Sequence, residues 1–146
     1  MTSDQPMSTL GRTALFGLLL SMSACPIGCG SGNARVYPVR GEVFVHGKPA
    51  EGAAVHLHPR DKEKCRPAFA TVEADGTFQM TTFARNDGAL PGEYVVTVVW
   101  RDERTEDGET IYSADKLGAR YSKASTSTLN ATVTIGHNDL PLFDLK

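Results

Sequence analysis

The chain has 146 residues, of which 40% are hydrophobic and 22% are charged, and its formal net charge is -2. Disordered chains are poorer in apolar residues and further from neutrality. Nucleic-acid-binding proteins normally carry an excess of basic residues, whereas 15 basic residues here face 17 acidic ones. The composition therefore predicts a single globular domain that has no nucleic-acid partner.

The first segment of the chain has the features of an export signal. Arg12 precedes an apolar run over residues 14–20, and small and polar residues follow that run up to Cys25. Signal peptides contain a positive region, a short apolar region and a small-residue exit in this order. The run is far shorter than the roughly 20 residues that span a bilayer. We therefore predict a signal peptide over residues 1–28 and a flexible linker over residues 29–38.

Two cysteines after the apolar run resemble the acylated cysteine of the bacterial lipoprotein lipobox. Cys25 follows two small residues but has Met22 where that motif prefers Leu. Cys29 stands between two glycines but has Pro26 at the same position. The resemblance implies lipidation at Cys29 or Cys25 and a membrane-anchored protein of the cell envelope. A plain secretory signal, which would give a secreted protein, is the alternative.

The third cysteine, Cys65, lies in a charged stretch over residues 61–66. Exported proteins tolerate disulfides, so Cys65 is expected to be a surface thiol or to pair with the amino-terminal cysteine that is not lipidated. With three cysteines, one of which would be lipidated, the sequence leaves open whether Cys65 forms this disulfide.

From Val39 onward the hydrophobic pattern has a period of two residues, which is typical of β-strands. Strands are predicted around residues 43–45, 53–57, 69–72, 77–83, 94–100, 133–135 and 140–145. Asp75-Gly76 is the strongest hairpin signal and predicts that residues 77–83 form the returning strand. Residues 101–109 are predicted to be a solvated charged loop, and residues 114–117 one helical turn. About seven short strands without an amphipathic helix predict an all-β domain of two packed sheets over residues 39–146.

Several of these segments together resemble the carboxypeptidase regulatory-like domain family in its short bacterial lipoprotein form. The resemblance spans residues 36–146, and its most specific part is Ala74-Asp75-Gly76-Thr77-Phe78 together with residues 87–98. Residues 117–122 and 138–145 are similar to the lipoprotein subgroup. The resemblance implies a seven-stranded Greek-key β-sandwich of the transthyretin or prealbumin type, without an active site or a cofactor.

His56 and His58 have metal-ligand spacing, because alternate residues of a strand project from the same face. A zinc or copper site needs a third and usually a fourth ligand. His46, His137 or Cys65 would supply one only if the fold brings it close. Two solvent-facing histidines without a metal are therefore expected, and a metal-binding envelope protein that uses this pair is the alternative.

Other chemistry is less well supported by the sequence. The acidic residues within 102–109 lack the alternating order of a calcium loop. A transthyretin relative such as 5-hydroxyisourate hydrolase uses a carboxyl-terminal Tyr-Arg-Gly-Ser, whereas this chain ends Phe143-Asp144-Leu145-Lys146. We therefore expect no enzymatic activity.

The aromatic residues Tyr94, Trp100 and Tyr112 suggest a carbohydrate-binding sandwich as a further alternative. A small exported sandwich without catalytic residues is expected to work through surface recognition. The sequence therefore predicts a non-enzymatic exported lipoprotein that serves as a binding or structural module. Its expected partners are the membrane, through the lipid anchor, and an envelope protein or a glycan.

Overall fold

Within residues 34–146, the regular structure is almost entirely β-strand. The structure is a computed structural model that describes residues 34–146. The predicted signal peptide, both candidate lipidation sites (Cys25 and Cys29) and the first half of the predicted linker lie outside the described residues. Within residues 34–146, no helix is long and apolar enough to cross a membrane.

Eleven strands and one short helix make up the regular structure of the described part. In chain order they are β1 (Val39–Val45), β2 (Lys48–Pro49), β3 (Ala54–Pro59), β4 (Ala68–Thr71), β5 (Thr77–Gln79), β6 (Gly92–Val99), β7 (Glu103–Glu106), β8 (Glu109–Tyr112), α1 (Ala119–Ser122), β9 (Asn130–Val133), β10 (Asn138–Asp139) and β11 (Phe143–Leu145).

The strands form two main sheets and a separate hairpin. One sheet is antiparallel with the order β4-β3-β6-β9. In the other sheet, β1 pairs antiparallel with β2 and β5 and parallel with β10 and β11. The hairpin consists of β7 and β8.

A single hydrophobic core joins the two main sheets. Strand β1 shows the alternation that the sequence predicts. Val39 and Val43 point into this core, whereas Arg40 and Glu42 are exposed. The core side chains that the strands of the two sheets supply include Val39, Val43, Val55, Leu57, Phe78, Tyr94, Val96, Val98, Phe143 and Leu145.

The predicted all-β sandwich is confirmed, but the described residues form eleven strands where the sequence predicts about seven. Of the four strands that were not predicted, β7 and β8 form the separate hairpin, whereas β2 and β10 pair with β1. β1 changes partners along its length. Its first half pairs with β5 and β10, and its second half pairs with β2 and β11.

The hairpin predicted at Asp75-Gly76 forms only in part. The turn is present, because the Glu73 amide donates to the Thr77 carbonyl at 2.8 Å. Phe69 and Thr81 also form an antiparallel bridge in the same register. Between these two pairs the arms separate, so that β4 joins the four-stranded sheet and β5 joins β1. The turn chemistry is local, whereas the choice of sheet depends on the core.

Two predictions between β6 and β9 are wrong. Residues 101–109 are not a loop, because β7 and β8 form a hairpin around Asp107 and Gly108, whose φ angles are 51° and 83°. Every residue of both strands is exposed, so no apolar alternation revealed them. The helical turn predicted at residues 114–117 lies further along the chain, in α1, where Tyr121 is buried.

Candidate ligand-binding groove

An open groove of about 820 Å³ lies where the four-stranded sheet meets the β7–β8 hairpin. Its floor comes from the face of the sheet that is turned away from the core. Pro49, Glu51, Gly52, Ala54, His56, Thr71, Val99, Trp100, Arg101, Asp102, Glu103, Tyr112 and Lys116 line it.

Strand register explains how distant parts of the chain meet in the floor of the groove. Ala54 of β3 lies between Thr71 of β4 and Val99 of β6. His56 is two residues further along β3 and therefore projects from the same face. Because the neighbouring Val55 is buried in the core, this face is the outer one.

Trp100 follows β6 directly and is held in place by three hydrogen bonds. Its indole Nε1 donates to the Glu51 carbonyl at 2.9 Å. Its backbone N–H donates to Asp115 Oδ1 at 3.0 Å, and its carbonyl accepts from the Lys116 backbone N–H at 2.8 Å. The half-buried ring packs against the core. A fixed aromatic side chain loses little conformational entropy when a ligand binds to it.

Lys116 and Asp102 stand beside the Trp100 ring. The Lys116 Nζ atom lies 4.5 Å from the ring centroid and 2.6 Å from Asp102 Oδ1. Sequence reasoning did not find Lys116 or Glu51 as site residues. They are 16 and 49 positions from Trp100, and no local pattern links them to it.

Tyr112, at the end of β8, gives the groove a second aromatic side chain, which is 58% exposed. Arg101 and Glu103 add charged groups to the same lining. Ligand sites commonly combine apolar surface with a few polar groups that fix orientation. This groove therefore contains two aromatic side chains, positively charged hydrogen-bond donors and negatively charged hydrogen-bond acceptors.

His56 and His58 lie on the outer face of the sheet, as the sequence predicted. Their ring centroids are 6.1 Å apart. His56 lines the groove, whereas Nε2 of His58 is hydrogen-bonded to Thr97 Oγ1 at 2.9 Å. Partial burial, and secondarily the neighbouring His58, lower the pKa of His56 below its ordinary value of 6.5.

The histidine pair does not acquire further metal ligands within the described part of the chain. No group of three or more His, Cys, Asp or Glu side chains in residues 34–146 could hold a metal ion. His46, His137 and Cys65, the three candidates for completing the site, therefore do not join the pair in one ligand set.

Tyr94 does not belong to the aromatic surface that the sequence suggested. Its side chain is fully buried in the core, and its hydroxyl donates to the Leu90 carbonyl at 2.7 Å. Burial raises the pKa of the Tyr94 phenol well above its ordinary value. Alternation along β6 directs Tyr94 inward, whereas Trp100 lies beyond the end of the strand.

The expectation that Cys65 is a surface thiol is wrong. Its side chain is only 4% exposed, and Sγ donates to the Pro91 carbonyl at 3.3 Å. Asp61 explains this position, because its Oδ1 accepts from the Glu63 and Lys64 amides while its carbonyl accepts from the Cys65 amide. The resulting turn directs Cys65 into the core although its neighbours are charged.

No protein-family model and no curated protein matches this sequence. A proposed carbohydrate-binding protein from Pseudomonas aeruginosa is 14% identical with a TM-score of 0.44, and the match covers 75% of this chain and 89% of that one. A 9R-lipoxygenase from Cyanothece is 10% identical with a TM-score of 0.44, over 76% and 16%. A DUF3823 family protein from Parabacteroides merdae is 18% identical with a TM-score of 0.38, over 77% and 47%. Similarity at this level supports no conclusion about a ligand.

Proposed function

We propose that this chain is an exported, lipid-anchored protein of the cell envelope that binds carbohydrate in the groove beside Trp100 and catalyses no reaction. The observation that carries the proposal is the placement of Trp100 and Tyr112 in one groove. The resemblance to the carboxypeptidase regulatory-like domain family supports a non-enzymatic module. The lipobox-like contexts of Cys25 and Cys29 support the anchor.

The chemistry of the groove suits a sugar better than a purely apolar ligand. Sugar rings have apolar C–H faces that pack on aromatic rings, and hydroxyl groups that both donate and accept hydrogen bonds. The side chains of Glu51 and Glu103 can accept such bonds, and that of Arg101 can donate them. Both signs of charge occur in the lining, so the groove does not present the uniformly basic surface that would favour a polyanion.

Binding to a panel of envelope polysaccharides and their oligosaccharides tests the carbohydrate proposal. Tyr112→Ala removes an exposed side chain, and we expect it to weaken binding about tenfold, as loss of an aromatic anchor does in other interfaces. Trp100→Ala should weaken binding at least as much. Phe83→Ala is the matched control, because Phe83 is 62% exposed and lies outside the groove. Equal binding by the wild type and both groove variants, or binding to no carbohydrate in the panel, would contradict the proposal.

Mass spectrometry of the mature protein from membrane fractions tests the anchor. The amino-terminal residue should be an acylated Cys29 or Cys25, and replacing that cysteine by serine should release the protein from the membrane. An unacylated terminus at any other residue would show that the chain is secreted and not anchored.

Pull-down from envelope fractions with the Trp100→Ala variant as control tests the alternative that an envelope protein occupies the groove.

A further inference from the structure

The chain enters the sandwich at one end, which we call the proximal end. Tyr37 forms an antiparallel bridge with Ala89, and its amide donates to the Ala89 carbonyl at 2.9 Å. β1 begins two residues after Tyr37, at Val39, and β6 begins three residues after Ala89, at Gly92. The Asn138 amide also donates to the Pro38 carbonyl at 3.0 Å, which fixes the incoming segment to this end.

The groove lies at the other end, which we call the distal end. β6 runs from the proximal end to Val99, and Trp100 is the next residue. Val99 pairs with Ala54, the first residue of β3. Two residues before Ala54, the Gly52 amide donates to the Val72 carbonyl at 2.9 Å. The seven steps along β6 from Gly92 to Val99 separate the two ends by about 23 Å, at roughly 3.3 Å per step.

We infer that the groove faces away from the anchoring membrane, and that its partner is a polysaccharide beyond the membrane surface instead of a lipid headgroup. This inference rests on the proposed lipid anchor and carbohydrate ligand. Seven residues separate Cys29 from Tyr37, and eleven separate Cys25 from Tyr37, so the linker spans at most about 29 Å from Cys29 or about 43 Å from Cys25 when fully extended. To bring the groove to the bilayer, the linker would have to run back along the roughly 23 Å of the domain, which takes most of its full extension from Cys29 and more than half of it from Cys25 and therefore costs conformational entropy.

A polysaccharide also fits the shape of the groove. Because the groove is open to solvent, it can hold one part of a chain whose remainder lies outside it, whereas a closed pocket would accept only a small molecule or a chain end. The lining contains three acidic residues, Glu51, Asp102 and Glu103, and two basic residues, Arg101 and Lys116. With more acidic than basic groups, it is poorly suited to the phosphate of a lipid headgroup.

Energy transfer on vesicles tests the orientation independently of any carbohydrate. The acylated full-length protein is placed in phosphatidylethanolamine and phosphatidylglycerol vesicles that contain an acceptor dye, with the unacylated amino-terminal cysteine replaced by serine. A donor is attached through Ile135→Cys, which follows β9 at the proximal end, or through Lys48→Cys, which is exposed at the distal end. We expect clearly stronger transfer from position 135, because transfer falls steeply with distance.

Flotation of the same vesicles separates the possible failures. Protein that floats with the vesicles but transfers energy equally from both positions, or more strongly from position 48, would overturn the inference and leave the proposed anchor intact. Protein that does not float would overturn the anchor and the inference with it.

Capture on beads coated with the polysaccharide selected from the panel tests the partner. Vesicle-anchored and detergent-solubilised protein should bind such beads equally, because a distal groove remains accessible to a particle that cannot enter the bilayer. Capture of the detergent-solubilised protein alone would show that the anchored groove faces the membrane, which would overturn the inference without affecting the carbohydrate proposal.

Discussion

The ammonium group of Lys116 covers the face of the Trp100 ring, 4.5 Å from its centroid. The same nitrogen lies 2.6 Å from Asp102 Oδ1, so the position of Lys116 is set by two partners. Because Trp100 packs against the core, a sugar that stacks on the ring from the groove must displace Lys116. Lys116 therefore competes with the proposed ligand.

Removing this competitor should strengthen the binding of a neutral oligosaccharide. An exposed cation–π contact contributes about 0.5–1 kcal/mol, so we expect Lys116→Ala to tighten binding about two- to fivefold in calorimetric titrations. Lys62→Ala, which changes an exposed lysine outside the groove, should have no effect. Weaker binding by Lys116→Ala would instead show that Lys116 contacts the ligand directly.

The stability of the fold should decrease in mild acid because of His56. Its pKa is lowered in the folded state by partial burial and by His58, so the unfolded state takes up the proton first as the pH falls. The free energy of unfolding should therefore decrease as the pH falls through about 6.5 towards the lowered value, and change no further from this cause below it.

Urea unfolding between pH 8 and pH 5 measures this effect. His56→Gln should flatten the pH dependence that the wild type shows. An identical pH dependence in the wild type and His56→Gln would rule out His56 as the titrating group.

Metal titration tests the alternative reading of the histidine pair. Two imidazoles with no third ligand from the described residues should bind Zn²⁺ or Cu²⁺ only weakly, and Nε2 of His58 is already hydrogen-bonded to Thr97. We expect no stoichiometric uptake at micromolar metal, and no difference between the wild type and the His56→Ala and His58→Ala variants. Stoichiometric binding that both substitutions abolish would establish a metal site.

Gly41 of β1 lies opposite Phe78 of β5, and their contact leaves no room for a side chain. A Cβ atom at position 41 would lie 2.4 Å from Phe78 Cζ, and Phe78 is 1% exposed. Gly41→Ala should therefore decrease the free energy of unfolding by about 1–3 kcal/mol.

A double-mutant cycle with Phe78→Leu checks the cause of that loss. If the clash is responsible, Gly41→Ala should cost clearly less in the Phe78→Leu background than in the wild type. Additive losses measured by chemical denaturation would place the cause elsewhere.

Much of the local structure was predictable because it depends on neighbouring residues. Alternation placed Val55 and Leu57 in the core and both histidines of β3 outside it. Turn chemistry correctly located the reversal at Asp75-Gly76, but not the separation of its arms into two sheets. The same Asp-Gly signal occurs at Asp107-Gly108, where the exposed strands of the hairpin carry no apolar alternation.

The groove was predictable only in its residue types. Trp100 and Tyr112 stood out because aromatic side chains commonly form binding surfaces, yet the same reasoning included Tyr94, which the register of β6 turns into the core. The prediction for Cys65 failed for a related reason. Its charged neighbours indicated an exposed position, whereas the turn that Asp61 stabilises directs the thiol into the core.

The β-rich character of the domain and the inner and outer faces of its main strands were predictable from the sequence, because a two-residue period and turn propensities are local properties of the chain. The folded structure was needed to show that β10 and β11 lie parallel to β1 and that Glu51 and Lys116 meet at Trp100. It also decided that the groove lies opposite the end where the chain enters. These relationships depend on which strands pair across long separations, and the shared burial of apolar side chains in one core selects that pairing.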